Sequence, residues 1–226
     1  MATNTFVVRL IDVAGGTGGV GGHAASVGSS LSTWYQSVCQ QATSGSTIWN
    51  ADVQWLAQPP SNTPGQDAGS PMTINMIIFF VPDPQQGVIR LHPQFRNATV
   101  PAETDTTIWG NTVSQWTPPG AHAGHRTPTL GISEVYISRC RTSDDSGTRL
   151  NLARIGFHES MHNELVRPGN DLHRGNSGFA ADTPTGNAPS AQNVWMMANA
   201  ISTLVPQWLA GFQAWRTNSM DPLGGL

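Results

Sequence analysis

The amino-acid sequence predicts an α+β fold, in which a mixed, twisted β-sheet is backed by one helix and accompanied by a second long helix and a C-terminal helix. Strand-like and helix-like hydrophobic patterns both occur along the 226 residues. The run TINMIIFFV at residues 73–81 is apolar enough to be a central strand that is buried on both faces. Charged residues make up only 11% of the chain, against about 25% in an average soluble domain, which favours a loop-rich globular protein over a helical bundle.

The first half of the chain begins with a predicted strand at residues 6–13 (FVVRLIDV). A glycine-rich run follows it, and no Gly-Lys-Ser/Thr comes after that run, so a phosphate-binding P-loop is not predicted. Residues 23–42 predict a helix, because their apolar side chains recur on one broad face. Residues 47–56 predict the next strand, and residues 57–71 predict a loop.

Three further segments precede the second long helix. Residues 88–91 predict a short strand, and residues 97–128 predict a long surface excursion because prolines and glycines lie among polar residues. Residues 130–138 (LGISEVYIS) alternate apolar and polar side chains, as a half-buried or edge strand does.

Two helices are predicted in the last third. The first begins near Asp144, whose carboxylate suits a helix N-terminus, and it ends at Pro168 and Gly169. After a loop, residues 191–215 predict a last helix, which Pro206 should kink or divide.

Composition argues against several classes of partner. The net charge of −3 gives no electrostatic footprint for nucleic acid or for an anionic membrane. No apolar run approaches the ~18 residues that a membrane span needs. The N-terminus MATNTFVVRL predicts no signal peptide, so we expect a protein that is cytoplasmic or exported by a leaderless route. The oligomeric state is left open.

The two cysteines, Cys39 and Cys140, are too far apart in sequence to form a local metal clip, and no CxxC motif occurs. They form either one disulfide or two buried thiols, and the sequence is compatible with both.

The stretch GFHESMHNELVRPGNDLHRG, residues 156–175, carries a candidate zinc site. On a helix, His158 and His162 lie about 40° apart around the axis and about 6 Å along it, so both imidazoles can bind one tetrahedral ion. Glu159 is about 100° from His158 by the same geometry. It therefore borders the site without being forced to ligate, and it is the candidate general base.

A third protein ligand is needed, and His173 is the first candidate. Asp171 is its rival in the same loop, and Asp182 becomes a candidate if that loop doubles back. Glu164 is about 200° from His162 on the helix and therefore lies on the wrong side.

The quoted stretch resembles the active-site helix of the zincin metallopeptidases, and the order of predicted elements resembles the metzincin branch of that clan. In that branch the helix breaks at a glycine, a third His or Asp binds zinc, and a methionine in a later turn lies beneath the site. By this resemblance Gly169 matches the breaking glycine and His173 the third ligand. Six residues separate His162 from Gly169 and three separate Gly169 from His173, about one helical turn more than the compact H-E-x-x-H-x-x-G-x-x-H spacing. The gluzincin alternative needs a later Glu, and residues 191–226 contain none.

The resemblance implies one zincin-like catalytic domain over residues 1–226, with an upper part at about 1–166 and a lower part at about 167–226. It also implies that Met196 or Met197 is the methionine beneath the zinc, although core packing explains them equally well. Candidate residues for polarising the substrate oxyanion are Tyr136 and Arg174.

Two histidines outside the motif, His122 and His125, are open to several interpretations. They bind a second metal, contact substrate or lie on the surface, and the surface interpretation is preferred because the pair has no carboxylate or Cys partners.

The predicted function is that of a zinc-dependent endopeptidase acting on a protein or peptide substrate. Zn²⁺ would be its cofactor, Glu159 would shuttle the proton, and the strand at 130–138 would align the substrate by β-augmentation. One alternative is a non-catalytic binding protein on a zincin scaffold. Another is a selective effector or toxin protease, which fits a chain in which all eleven basic residues are arginine and no propeptide is evident.

Overall fold

The computed structural model describes residues 2–15, 18–45, 47–56, 76–84, 107–116, 130–165, 172–173 and 176–202. These residues form a mixed α/β fold around one sheet. Its strands are β1 (Ala2–Asp12), β2 (Thr47–Leu56), β3 (Met76–Val81), β4 (Gly110–Trp116) and β5 (Leu130–Tyr136). The described α-helices are α1 (Ala24–Ala42), α2 (Ile137–Cys140), α3 (Asp145–Leu165) and α4 (Ala191–Ile201). Single turns of 3₁₀ helix occur at Gly21–His23 and Gly178–Ala180.

The five strands lie in the order β2-β1-β3-β5-β4. Neighbours from β2 to β5 are parallel, and β4 runs antiparallel to β5 at one edge. A mixed sheet is therefore confirmed, but the segregated α+β arrangement is replaced by a mostly parallel α/β one. The reason is visible in β1–α1–β2, because parallel neighbours cannot be joined by a tight turn and need a crossover helix.

Two sequence predictions about this end of the sheet are wrong. β5 was expected to be half-buried or at an edge, yet it lies between β3 and β4, and its residues 133–136 are all buried. The edge is instead β4, inside the segment 97–128 that was expected to be a surface excursion. β4 is mostly polar, so its sequence lacks the hydrophobic pattern by which strands are recognised.

The central strand of the sheet agrees with the sequence prediction. All six residues of β3 are buried, as expected for a central strand covered on both faces. The helices pack on the face of the sheet that carries Phe6, Val8, Leu10, Ile78 and Phe80, and together they form the main core.

Three aromatic rings pack α1, α3 and the Gly178–Ala180 turn together beside the histidine motif. Trp34 of α1 meets Phe157 of α3 and Phe179 with ring centroids 6.0 and 5.0 Å apart, both edge to face. Phe157 also meets Phe179 at 5.8 Å. Such tilted contacts stabilise beyond the area they bury, and they fix the 3₁₀ turn that contains Phe179 against the start of the motif.

The glycine-rich loop after β1 is organised around its own carboxylate. Asp12 accepts hydrogen bonds from the backbone N–H of Gly15 at 3.2 Å and of Val20 at 2.8 Å. A Cβ atom at Gly19 would lie 2.3 Å from the Asp12 carboxylate oxygens, so glycine is required there. The N–H groups of Gly15 and Val20 thus donate to the chain's own Asp12 carboxylate.

The starts of the helices agree with the capping signals in the sequence. α3 follows Asp144, whose Oδ1 accepts a hydrogen bond from the Gly147 N–H at 2.6 Å, and it is described as far as Leu165; its predicted end at Pro168 and Gly169 lies outside the described residues. α4 covers the first part of the predicted last helix, and Pro206 and the predicted strand at 88–91 lie outside the described residues. No helix in the described ranges is long and apolar enough to cross a membrane.

Cys39 and Cys140 are both free and buried, which selects the two-thiol interpretation. Burial raises the pKa of Cys39 to about 12 and raises the pKa of Cys140 as well. Because the thiolate is the reactive form, we expect both thiols to react with Ellman's reagent far more slowly in the native protein than after denaturation. Two thiols per denatured, unreduced chain are expected, and a count of zero would establish a disulfide instead.

Candidate metal centre

Three histidines converge at the C-terminal part of α3. His158 and His162 project from one face of the helix, and His173 reaches them from the following loop. One ligand nitrogen from each lies within 4.8 Å of the others, and the Nε2 atoms of His158 and His162 are 3.2 Å apart. Two imidazoles on a tetrahedral zinc at ordinary bond lengths would place their nitrogens roughly 3.3 Å apart. The helical pair is therefore already at ligand spacing.

Backbone carbonyls orient two of these rings. The Nδ1 atom of His158 is 2.5 Å from the carbonyl oxygen of Phe179, and Nδ1 of His173 is 3.3 Å from that of Ala180. A carbonyl oxygen only accepts, so each Nδ1 carries the proton and donates it. The lone pair is then on Nε2, and an imidazole fixed by a hydrogen bond of this kind is typical of metal-binding histidine.

The 3₁₀ turn Gly178–Ala180, which supplies both carbonyls, is attached to the start of α4. The side chain of the fully buried Asn193 accepts hydrogen bonds from the N–H groups of Phe179 at 2.9 Å and Ser190 at 3.2 Å, and it donates to the carbonyl of Ser177 at 3.1 Å. Asn193 also forms a reciprocal capping box with Ser190. The N-terminus of α4 thereby sets the position of the turn beneath the histidines.

Gly178 makes this attachment sterically feasible. Its φ of +65° lies in the left-handed region that glycine adopts without strain. A Cβ atom there would also lie 2.8 Å from the Asn193 Oδ1.

His158 is prepared to bind a cation as a neutral ligand. Its pKa is lowered to about 4, mainly by burial; the hydrogen bond to Phe179 acts against this, nearby His173 lowers the pKa and the charge of Asp182 raises it. A depressed pKa means that the imidazole is unprotonated at neutral pH. A metal therefore displaces no proton from this ring, which would otherwise weaken its binding.

Glu159 lies beside the histidines and is 6% exposed. Its pKa is raised to about 8, mainly by burial; a hydrogen bond from Thr112 acts against this, and the charge of Glu134 adds to it. Thr112 lies on β4, and its hydroxyl is 2.7 Å from the Glu159 Oε2. The carboxyl group is thus close to the pH range in which a group can both take and return a proton.

The site opens into a cavity of about 510 Å³ between β4 and the loop before α4. One wall is the run 107–112, which contains the first three residues of β4. The opposite wall is formed by Asp182, Thr183 and Pro184. The floor contains His158, Glu159, His162 and His173. The volume is within the range of small-ligand and peptide sites.

Asp182 shows that the loop doubles back, the condition under which it was a candidate ligand. It lines the cavity, but among the described residues the group that meets ligand spacing consists of the three histidines. Asp171, the other rival, lies outside the described residues, as does Arg174. His122 and His125 also fall outside them.

The remaining described candidates are not among the residues that line the cavity. Tyr136 is fully buried in β5, where burial and the nearby carboxylates of Glu134 and Glu159 raise its pKa. Met197 is fully buried in the core and Met196 packs against it. Both methionines lie within α4 rather than in a turn, a position that core packing explains.

Sequence reasoning missed the groups that support the ligands. The carbonyls of Phe179 and Ala180 carry no sequence signal, because every residue has one. Thr112 lies in a strand that was not recognised. Asn193 had a usable signal, since Ser190 and Asn193 have the spacing of a helix cap with a reciprocal partner.

Comparisons with known proteins add no family. No protein-family model matches the chain, and a search of curated proteins gives no match. The function proposed below is therefore based on the geometry of the site.

Proposed function

We propose that this chain is a zincin-like, metzincin-related endopeptidase that hydrolyses peptide bonds with Zn²⁺ as cofactor. The observation that carries the proposal is the convergence of three histidines beside the buried Glu159 in an open cavity. The proposed catalytic domain covers residues 1–226, and the proposed substrate is a protein or peptide.

The donor set fits zinc. Imidazole nitrogen is a preferred zinc donor, and the carbonyl-bound Nδ1 atoms of His158 and His173 place the lone pair of each ring on Nε2, the atom that would ligate. Structural zinc sites are closed by four protein ligands, whereas catalytic sites keep one position open. Three histidines facing a cavity correspond to the second class.

The metal and Glu159 would have different roles in hydrolysis. Zn²⁺, when bound, would act as a Lewis acid that acidifies water and polarises the scissile carbonyl. Glu159 accepts the proton of the attacking water and returns it to the departing amine. Burial raises the pKa of Glu159, which makes its carboxylate a better acceptor for the proton of the attacking water.

The edge strand β4 replaces β5 as the proposed element that aligns substrate. β5 has neighbours on both sides, so it offers no free backbone groups for pairing. β4 borders the cavity from Gly110 to Thr112, and among the described strands it pairs with β5 alone. An extended peptide can add to such an edge through main-chain hydrogen bonds.

The alternative of a non-catalytic binding protein is less well supported. A purely structural metal site has no use for a buried carboxyl group next to its ligands, and burying such a group is costly. The alternative of a selective effector or toxin protease uses the same chemistry and differs only in substrate range. Digestion of a broad peptide library distinguishes a general from a selective enzyme.

Zinc should co-purify at about one ion per chain, because the described residues hold one cluster of three histidines at ligand spacing. Metal analysis by mass spectrometry after purification without chelator measures this. Less than a tenth of an equivalent, with no uptake on titration, would contradict the proposed metal site. Zinc binding without cleavage of any peptide or protein in the library would favour the binding-protein alternative.

A further inference from the structure

The Glu159 side chain is held by the edge strand as well as by its own helix. The Thr112 hydroxyl lies 2.7 Å from the Glu159 Oε2 and 2.9 Å from the Glu159 backbone carbonyl oxygen. A hydroxyl has a single proton, and both of these acceptors belong to the same residue. The proton of Thr112 can therefore be shared only between these two oxygens of Glu159 when Ser133, its third neighbour, acts as a donor.

A second hydroxyl supports the first. Ser133, the register partner of Thr112 on β5, has its Oγ 3.2 Å from the Thr112 Oγ1. Ser133 can donate to Thr112 while Thr112 donates to the carboxylate, so the two bonds point in one direction. Hydrogen bonds in such a chain reinforce one another.

The same strand leaves room for the carboxylate at Gly110. A Cβ atom at this position would lie 2.5 Å from the Glu159 Oε1 and 2.7 Å from the backbone oxygen of Glu134. Two residues apart on a strand, Gly110 and Thr112 face the same side of the sheet. One provides the space for the carboxylate and the other provides a donor.

We infer that Gly110 and Thr112 of β4 form a socket that positions the Glu159 carboxylate for proton transfer, with Thr112 as a positioning residue for catalysis. The effect of the socket on catalysis rests on the proposed function, whereas the contacts that form the socket do not. It implies that the strand proposed to bind the peptide also sets the position of the base. Small displacements of a catalytic group reduce rates strongly.

The first test is structural and does not require activity. Crystal structures of the metal-free protein are compared for wild type, Thr112→Val and Thr112→Ser. Valine keeps the branched shape and removes the donor, so the Glu159 carboxylate should leave its place or occupy several rotamers. Serine keeps the donor and should preserve the wild-type position. An unmoved Glu159 carboxylate in Thr112→Val would overturn the inference.

The second test is kinetic, on a peptide that the zinc-loaded wild type cleaves. Thr112→Val should lower kcat about ten-fold to a hundred-fold with little change in KM or in zinc content, and Thr112→Ser should recover most of the loss. In the Glu159→Gln background, Thr112→Val should cause little further loss, because its effect passes through Glu159. Equal additional loss in that background would show that Thr112 acts independently of Glu159.

Thr5→Val is the matched control, since Thr5 is an exposed strand threonine on β1, two strands away from β5. It should leave kcat, KM and the thermal midpoint nearly unchanged. If the wild type cleaves nothing, the proposed function fails, and the position of Glu159 in Thr112→Val still decides whether the socket exists.

Discussion

Glu159→Gln should leave zinc bound and remove most of the hydrolytic activity. The amide has nearly the same shape as the carboxylate but cannot accept the proton of the attacking water. Loss of a general base usually reduces the rate by ~10²- to 10⁴-fold. The measurement is kcat on a cleaved peptide, together with the zinc content of the same preparation.

Glu164→Gln is the matched control for this variant. It makes the same chemical change on the same helix, at a position about 200° around the axis from His162. It should retain wild-type turnover. Wild-type turnover in Glu159→Gln would show that the proton shuttle is wrong, regardless of how much zinc the protein holds.

His173→Ala should weaken zinc binding by more than about 100-fold, because only His158 and His162 remain as protein ligands. Removal of a residue that merely supports a ligand typically costs 10- to 100-fold, so an effect within that range would be too small for a ligand. Competition with a chromogenic chelator gives the affinity of each variant.

Asp171→Ala is the comparison that decides between the two candidates. Asp171 precedes His173 by two residues and has a shorter side chain, so its removal should act weakly if His173 is the ligand. The reverse ranking would transfer the role to Asp171 and would move the proposal toward zincins with an aspartate ligand.

The parts of the site that are local in sequence could be predicted. His158, Glu159 and His162 share one turn of helix, and their relative directions follow from helical geometry alone. The start of the helix was recognisable from its cap at Asp144. His173 was the first candidate for the third ligand, and the structure brings it to the other two histidines.

The sheet edge beside the site could not be predicted, and specific residues explain why. Ser133 and Glu134 are polar and yet buried, so the apolar and polar residues of β5 alternate as they do in a strand with one exposed face. Gly110, Asn111 and Thr112 face a cavity, where polar or small residues serve the site better than apolar ones. Binary hydrophobic patterning fails at both strands because the nearby chemistry, rather than the core, determines their composition.

The attachment of the Gly178–Ala180 turn to α4 has a consequence for when the protein acquires its chemistry. A chain synthesised as far as Leu165 already contains His158, Glu159 and His162. It lacks His173, both carbonyl oxygens that fix the imidazole tautomers, and the Asn193 that holds their turn. The nascent polypeptide therefore emerges from the ribosome without a complete ion-binding pocket, and under the proposed function it becomes able to cut other proteins only after the residues from His173 to Asn193 have docked.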